Sequence, residues 1–136
     1  RINPEKSKYL RETRAEEMII GAVVSKPEIA ALVFEKINSE FFVTSYNKKI
    51  ISIIENFYKN DEPIDIISLG KKFNTGEIAK ITEYCVVGSN LNQKEIIDCI
   101  DTLNNAYYKN DNKNNLEEDI SSIINEIKKN KNRGTR

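Results

Sequence analysis

Apolar residues recur every three to four positions along most of this chain, which is the spacing of helices with one buried face. The segment 13–24 is apolar on nearly every side after its first turn. Such a helix is normally buried at the centre of a bundle. Thr13 and Glu16 have the spacing of a capping box, so we expect this central helix to begin at Thr13.

Two further signals follow the central helix. An S-x-x-E pattern beginning at Ser25, with Pro27 in the first turn, predicts a second helix over 26–37. Phe41 and Phe42 come next, and an aromatic pair between helices most often closes one end of a core. We therefore expect both rings to be buried.

A third helix is predicted over 45–59, where the apolar spacing defines the face expected to be buried. The polar residues expected to face outward or to lie at the edges of this face are Asn47, Lys48, Lys49, Glu55 and Asn56. The predicted buried stripe consists of Tyr46, Ile50, Ile53, Ile54 and Phe57.

Asp65, Asn74 and Asn92 occupy cap positions that predict where the later helices begin. Gly88 lies between two of these helices, where its conformational freedom is expected to permit a chain reversal. The predicted ranges are 66–73, 77–85 and a longest helix from Asn92 through Tyr107.

The composition changes abruptly at 109–115, which has no apolar residue and is rich in asparagine, a residue that favours turns. A last helix is predicted over 116–130. Its apolar face is formed by Leu116, Ile120, Ile123, Ile124 and Ile127. Because an isolated helix of this length is marginal in water, this face either folds back on the domain or binds a partner.

These elements predict an all-α fold, a bundle of about six helices followed by a C-terminal helical hairpin. Residues 1–12 are expected to form a linker or a short docking helix. The bundle is expected to cover 13–106, with its last helix extending toward the hairpin, and the hairpin with its basic tail to cover 107–136. Because the chain opens on Arg1, we expect it to be part of a longer polypeptide.

Charge and hydropathy narrow the possible functions. Basic and acidic residues number 21 each, so the net charge is zero and does not attract the chain as a whole to nucleic acid. The basic tail either touches phosphates or only balances the dipole of the last helix. No apolar run approaches the length of a membrane span, and no segment has the apolar core typical of a signal peptide, so the sequence gives no support for membrane insertion or secretion. We expect a cytoplasmic protein with no membrane partner.

Signatures of catalysis are missing from the sequence. It contains no histidine, no glycine-rich phosphate loop and no hydrolase or zinc-protease motif. Cys85 and Cys99 lack the further ligands that zinc needs and are expected to be small core residues. We expect no enzyme activity, metal site or cofactor in this part of the polypeptide.

Five segments resemble, in order and spacing, a helical bundle shared by two bacterial replication proteins. One is the C-terminal helicase-interacting domain of DnaG-type primase, and the other is the N-terminal domain of the DnaB-type replicative helicase. The resemblance is carried by residues 16–24, 33–37, 41–42, 46–54 and 64–65. The closing long helix, turn and amphipathic helix are more similar to the primase region.

The resemblance to primase implies a non-catalytic domain that binds the N-terminal collar of the replicative helicase and couples priming to unwinding. The RNA-polymerising transferase activity of such a primase would lie in other domains, and this domain would be monomeric alone. We expect the hairpin to carry the helicase contacts. The predicted partner-binding residues are Tyr107, Tyr108, Leu116, Glu117, Ile120, Ile123, Ile124, Ile127 and Lys128.

Two alternatives stay open. The resemblance to the helicase N-terminal domain implies an oligomerisation module, which should self-associate in solution. A helical module that binds nucleic acid through its basic tail is the other alternative, although direct nucleic-acid binding is not our expectation. Such binding would weaken steeply with added salt.

Overall fold

The computed structural model describes residues 4–109, with side chains described from Leu10 onward. Over this range the chain forms helices, short 3₁₀ turns and loops, and no strand, which confirms the predicted all-α fold class for this part. The helices are α1 (Pro4–Ser25), α2 (Ala30–Lys36), α3 (Ser45–Lys59), α4 (Ile66–Leu69), α5 (Thr75–Gly88) and α6 (93–109), with 3₁₀ turns at Pro27–Ile29 and Ser39–Phe41.

The chain falls into two compact units, one up to Asn104 and one from Asn105. The first unit contains α1 to α5 and most of α6. In the second unit only residues 105–109 are described. The predicted hairpin over 107–136 therefore lies almost entirely outside the described residues and stays a prediction.

α1 is the buried centre of the first unit, as the sequence predicts. From Ala15 to Val24 every residue is buried except Glu17 and Met18, which are half-buried. Each fully buried aliphatic side chain contributes about 1.5–3 kcal/mol relative to an exposed one. Among α2 to α5, the helix that packs most extensively against α1 is α5. This helix therefore organises the packing of the described bundle.

The predicted start of α1 is wrong. The helix already begins at Pro4, within the segment expected to be a linker or docking helix, and Thr13 lies in its interior. Proline is well suited to a first helical position because no N–H is needed there. The hydroxyl oxygen of Thr13 lies 3.4 Å from that of Thr44. Glu16 accepts hydrogen bonds from the start of α3 and not from Thr13.

The predicted second capping box is also wrong. Ser25 is the last residue of α1, and its hydroxyl donates to the carbonyl oxygen of Gly21 at 2.6 Å. Pro27 does open the next turn, as predicted, but that turn is a 3₁₀ helix and α2 follows only at Ala30. Serine competes for backbone carbonyls inside a helix as readily as it caps one, which is why the pattern misleads here.

α3 has the predicted bounds and buries Ile50, Ile54 and Phe57 as predicted, but two of the five predicted positions are wrong. Ile51 is fully buried, whereas Tyr46 is 40% exposed and Ile53 only half-buried. Asn47 and Glu55, expected to face outward or lie at the edges of the stripe, are both buried. The buried residues of α3 are Asn47, Ile50, Ile51, Ile54, Glu55 and Phe57.

Side-chain caps begin the later helices as predicted. Asp65 accepts from the Ser68 amide at 2.7 Å, and Asn74 and Asn92 form capping boxes with the glutamates three residues later. Two ends differ from the predictions: α4 stops at Leu69, and α5 continues to Gly88. Phe41 and Phe42 are both buried, in agreement with their predicted position at one end of a core.

Gly88 permits a close helix crossing, not the chain reversal predicted for it. No glycine of the described chain has a positive φ. A Cβ atom on Gly88 would instead collide with the backbone of Gly21 and Ala22, and one on Gly21 would collide with the backbone of Tyr84. α1 and α5 therefore cross at a point where only glycine fits on both sides.

Candidate partner-binding surface

A groove of about 240 Å³ lies between α1 and α5 in the first unit. Both helices contribute charges of both signs to its walls. The Lys80 ammonium is 3.4 Å from the Glu83 carboxylate and 5.9 Å from the centre of the Tyr84 ring. The lining residues are Arg14, Glu17, Met18, Lys80, Glu83, Tyr84 and Val87. A lining of alternating charge is better matched to a protein surface than to a polyanion.

Large apolar side chains of the first unit are exposed on several helices, among them α1, α4 and α5. Ile67 in α4 is 84% exposed and follows the partly exposed Ile66, and Val86 in α5 is 65% exposed. Val87 lines the groove, and Leu10 lies on α1 with 53% of its surface exposed. The sequence does not identify these residues as exposed, because helical spacing alone does not reveal which apolar side chains stay outside the core.

The residues predicted to bind a partner are described only in part. Tyr107 is half-buried and Tyr108 is 53% exposed, and their rings meet edge to face with centres 5.5 Å apart. The others lie outside the described residues, so their predicted role stays a prediction. They are Leu116, Glu117, Ile120, Ile123, Ile124, Ile127 and Lys128.

A buried polar network joins three helices beneath the groove wall. Glu16 on α1 has no exposed surface. Its Oε2 accepts from the Val43 amide at 2.7 Å and from the Thr44 amide at 3.5 Å, at the start of α3. Its Oε1 accepts from the Asn47 side-chain amide at 3.1 Å, and the Tyr84 hydroxyl donates to Asn47 Oδ1 at 2.9 Å.

Glu16 acts as the N-terminal cap of α3 from another helix. Thr44, at the cap position, makes no side-chain capping bond of its own. The carboxylate lies where the positive end of the α3 dipole favours it. Burial is the dominant influence and raises the pKa of Glu16 above its usual value, while the hydrogen bonds from Val43, Asn47 and Thr44 oppose that rise.

Asn47 and Tyr84 complete the network, and sequence reasoning missed Asn47. Burial raises the pKa of Tyr84, and the nearby Glu17 carboxylate adds to the rise. A signal for Asn47 was available, because it stands three and four residues before Ile50 and Ile51 and thus on a continuous apolar stripe. A polar residue in such a stripe implies a buried hydrogen-bond partner.

Among the described residues, no group of three or more His, Cys, Asp or Glu side chains could hold a metal ion. Cys99 is buried, with its sulfur 3.6 Å from that of Met18. Burial raises the pKa of the Cys99 thiol, and the carboxylates of Asp98 and Glu95 add to the rise, so the reactive thiolate is disfavoured.

Comparison with known proteins identifies the bundle. No curated protein and no solved structure matches the chain significantly. Within the described range no helix has both the length and the apolar character of a membrane span. The family model of the DnaB-like helicase N-terminal domain matches residues 9–85, more than half of the chain, from α1 into α5. The chain belongs to the DnaB-like helicase N-terminal domain family.

Proposed function

We propose that this chain is a non-catalytic protein-interaction domain of a replicative helicase assembly. The observation that carries the proposal is the family match over residues 9–85, which coincides with the bundle built on α1. The match supports the hypothesis of a helicase N-terminal domain better than the hypothesis of a primase domain, which it does not confirm. Self-association is therefore the first interaction to test.

The surface of the bundle is compatible with a contact between protein domains. The groove between α1 and α5 has walls of both charges and a half-buried Met18. Val86 and Val87 are exposed on α5 next to it. Apolar surface bordered by charges of both signs is typical of protein interfaces, in which apolar contacts give affinity and charges select the partner.

Binding of a helicase by a primase-type domain is the second candidate. It is favoured by the sequence after the matched region, where α6 is followed by a predicted amphipathic helix over 116–130 and a basic end. In that case the contacts would come from the predicted hairpin, and the domain would be monomeric alone.

Sedimentation velocity and pull-down of the replicative helicase distinguish these candidates. A helicase N-terminal module should sediment as a concentration-dependent oligomer. A primase-type domain should stay monomeric, bind the helicase, and lose that binding when the chain ends at Asn110. A full-length chain that neither self-associates nor binds helicase would contradict the proposal.

A pair of charge reversals tests the groove itself. Glu83→Lys removes the Lys80–Glu83 attraction and changes the charge pattern of the groove wall. Glu35→Lys, at an exposed site on α2, makes the same change away from the groove and serves as control. We expect Glu83→Lys to weaken association at least tenfold and the control to leave it unchanged. Equal affinities for the two variants would remove the groove from the interface.

A further inference from the structure

The hydrogen bonds of the Glu16 network all run in one direction when the carboxylate is ionised. Tyr84 donates to Asn47, Asn47 donates to Glu16 Oε1, and the Val43 and Thr44 amides donate to Oε2. The three side chains come from three different helices, and all are buried. The network thus connects α5 to α1 through one side-chain amide of α3.

A proton on Glu16 is incompatible with this direction. Oε2 is already the acceptor of two backbone amides, which cannot reverse, so the proton is best placed on Oε1. There it would face the Asn47 NH₂ group, and two donors would oppose each other. A half-turn of the Asn47 amide resolves the conflict, because its oxygen then accepts from Glu16 and its NH₂ donates to the Tyr84 oxygen.

We infer that Glu16, Asn47 and Tyr84 form a reversible chain of hydrogen bonds whose direction is set by one proton on Glu16. Taking up a proton from solvent reverses both side-chain bonds and breaks none of the contacts between the helices. In the reversed state Tyr84 is an acceptor toward Asn47, and its own O–H no longer donates to Asn47. Because Tyr84 and Asn47 are both buried, the reversal takes place in the interior of the bundle.

Several titratable groups surround the network. Glu12 and Glu17 lie on α1, one turn before and directly after Glu16, and Tyr46 lies on α3. On α5, Glu83 lies next to Tyr84, and the Lys80 ammonium stands over the ring of Tyr84. Glu17, Tyr46 and Glu83 all interact electrostatically with Tyr84. Any change assigned to Glu16 must therefore be separated from the influence of the neighbouring Glu17 carboxylate on Tyr84.

NMR titration of the full chain tests the inference. Between pH 4 and pH 8 the NMR signals of the Asn47 side-chain amide and the Tyr84 ring should shift together. The midpoint pH of both shifts should equal that of the Glu16 carboxyl carbon signal. If the proton instead sat on Oε2 and was donated to the Thr44 hydroxyl, the amide signals of Val43 and Thr44 would shift with pH. The signals of Asn47 and Tyr84 would then stay constant. That result would overturn the inference.

Two variants sharpen the test. In Glu16→Gln a permanent NH₂ group replaces one oxygen, so the Asn47 amide should show the low-pH shift of the unmodified protein at every pH. Glu17→Gln changes the neighbouring carboxylate and should leave the Asn47 titration in place. An Asn47 shift that survives Glu16→Gln, or disappears in Glu17→Gln, would contradict the inference. If Glu16→Gln does not fold, the titration of the unmodified chain still decides.

Discussion

At the scale of single residues, Glu16 is the most consequential side chain of the described bundle. A buried carboxylate without compensation would cost several kcal/mol, on the order of the whole stability of a small domain. Its partners are two backbone amides at the start of α3 and one side-chain amide, all of which donate to it. The same atoms that stabilise the charge also tie α3 and α5 to α1.

Asn47→Ala should destabilise the fold by about 1–3 kcal/mol, since it leaves Glu16 Oε1 and the Tyr84 hydroxyl without their buried partner. Urea denaturation measures the loss. Asn56→Ala, at an exposed position of the same helix, is the control and should change stability little. Equal losses in the two variants would show that the network does not stabilise the fold.

The stability of the unmodified chain relative to Glu16→Gln should depend on pH. Because burial raises the folded-state pKa of Glu16 above 4.5, the folded state binds a proton more tightly than the unfolded state. The stabilisation that this tighter proton binding gives the folded state is fully present below pH 4.5, and it is lost as the pH rises through the raised pKa of Glu16. The unmodified chain should therefore lose stability relative to Glu16→Gln between pH 4.5 and pH 8, as measured by urea denaturation.

Glu77 contributes a pH dependence of stability opposite in sign to that of Glu16. The ion pair with Lys49, at 2.7 Å, and the hydrogen bond from the Asn74 amide lower the pKa of Glu77. Its contribution is present above pH 4.5 and is lost as the pH falls through the lowered pKa. The Glu77 contribution is the same in the unmodified chain and in Glu16→Gln, so it cancels when the two free energies of unfolding are subtracted. A difference in stability that does not vary with pH would show that Glu16 titrates normally.

At the scale of elements, the crossing of α1 and α5 determines how the bundle is assembled. Gly21 and Gly88 bring the two backbones together, and the Ser25 hydroxyl, which donates to the Gly21 carbonyl, lies 3.5 Å from the Cys85 carbonyl oxygen. Backbones cannot move aside as the end of a flexible side chain can. Glycine at each position is therefore a condition of this packing.

Gly88→Ala should destabilise the bundle by about 1–3 kcal/mol or more, because the added methyl group must displace the backbone of α1. Thermal denaturation followed by circular dichroism measures the effect. Gly76→Ala in the first turn of α5 is the matched control, since its Cβ would meet only Asn74 Oδ1 at an ordinary 3.5 Å. We expect the control to be neutral or slightly stabilising. A Gly88→Ala protein as stable as the control would rule out the close crossing.

At the scale of the whole molecule, the hydrophobic core extends beyond the region matched by the family model. The match ends at residue 85, yet Ile100 and Leu103 of α6 have no exposed surface and Ile96 is only 2% exposed. Cys99 on the same helix contacts Met18 of α1. The part of α6 up to Asn104 thus belongs to the bundle of the first unit.

Leu103→Ala should cost about 2–5 kcal/mol, the range for truncating a fully buried leucine. Asp101→Ala, at an exposed position of the same helix, is the control and should have little effect. Urea denaturation of the full chain distinguishes them. If Leu103→Ala were as stable as Asp101→Ala, α6 would not pack as described.

The sequence by itself determined the helices and most of their local boundaries. Helical spacing identified α1 as central and set the bounds of α3, and the side chains of Asp65, Asn74 and Asn92 marked three helix starts. These features depend on contacts within a few residues, which is why a pattern along the chain can reveal them. The order of the segments was also sufficient to suggest the helicase and primase bundle.

Only the tertiary structure decided which partner each ambiguous residue has. Glu16 can cap its own helix or another, Asn47 can face solvent or a buried carboxylate, and Gly88 can serve a turn or a crossing. In each case the sequence pattern predicts a role within the residue's own segment, whereas in the folded bundle the residue contacts a different helix. The physical reason is that hydrogen-bonding groups and glycines are satisfied by whichever backbone or side chain approaches them, and that approach exists only after α1, α3 and α5 have packed together.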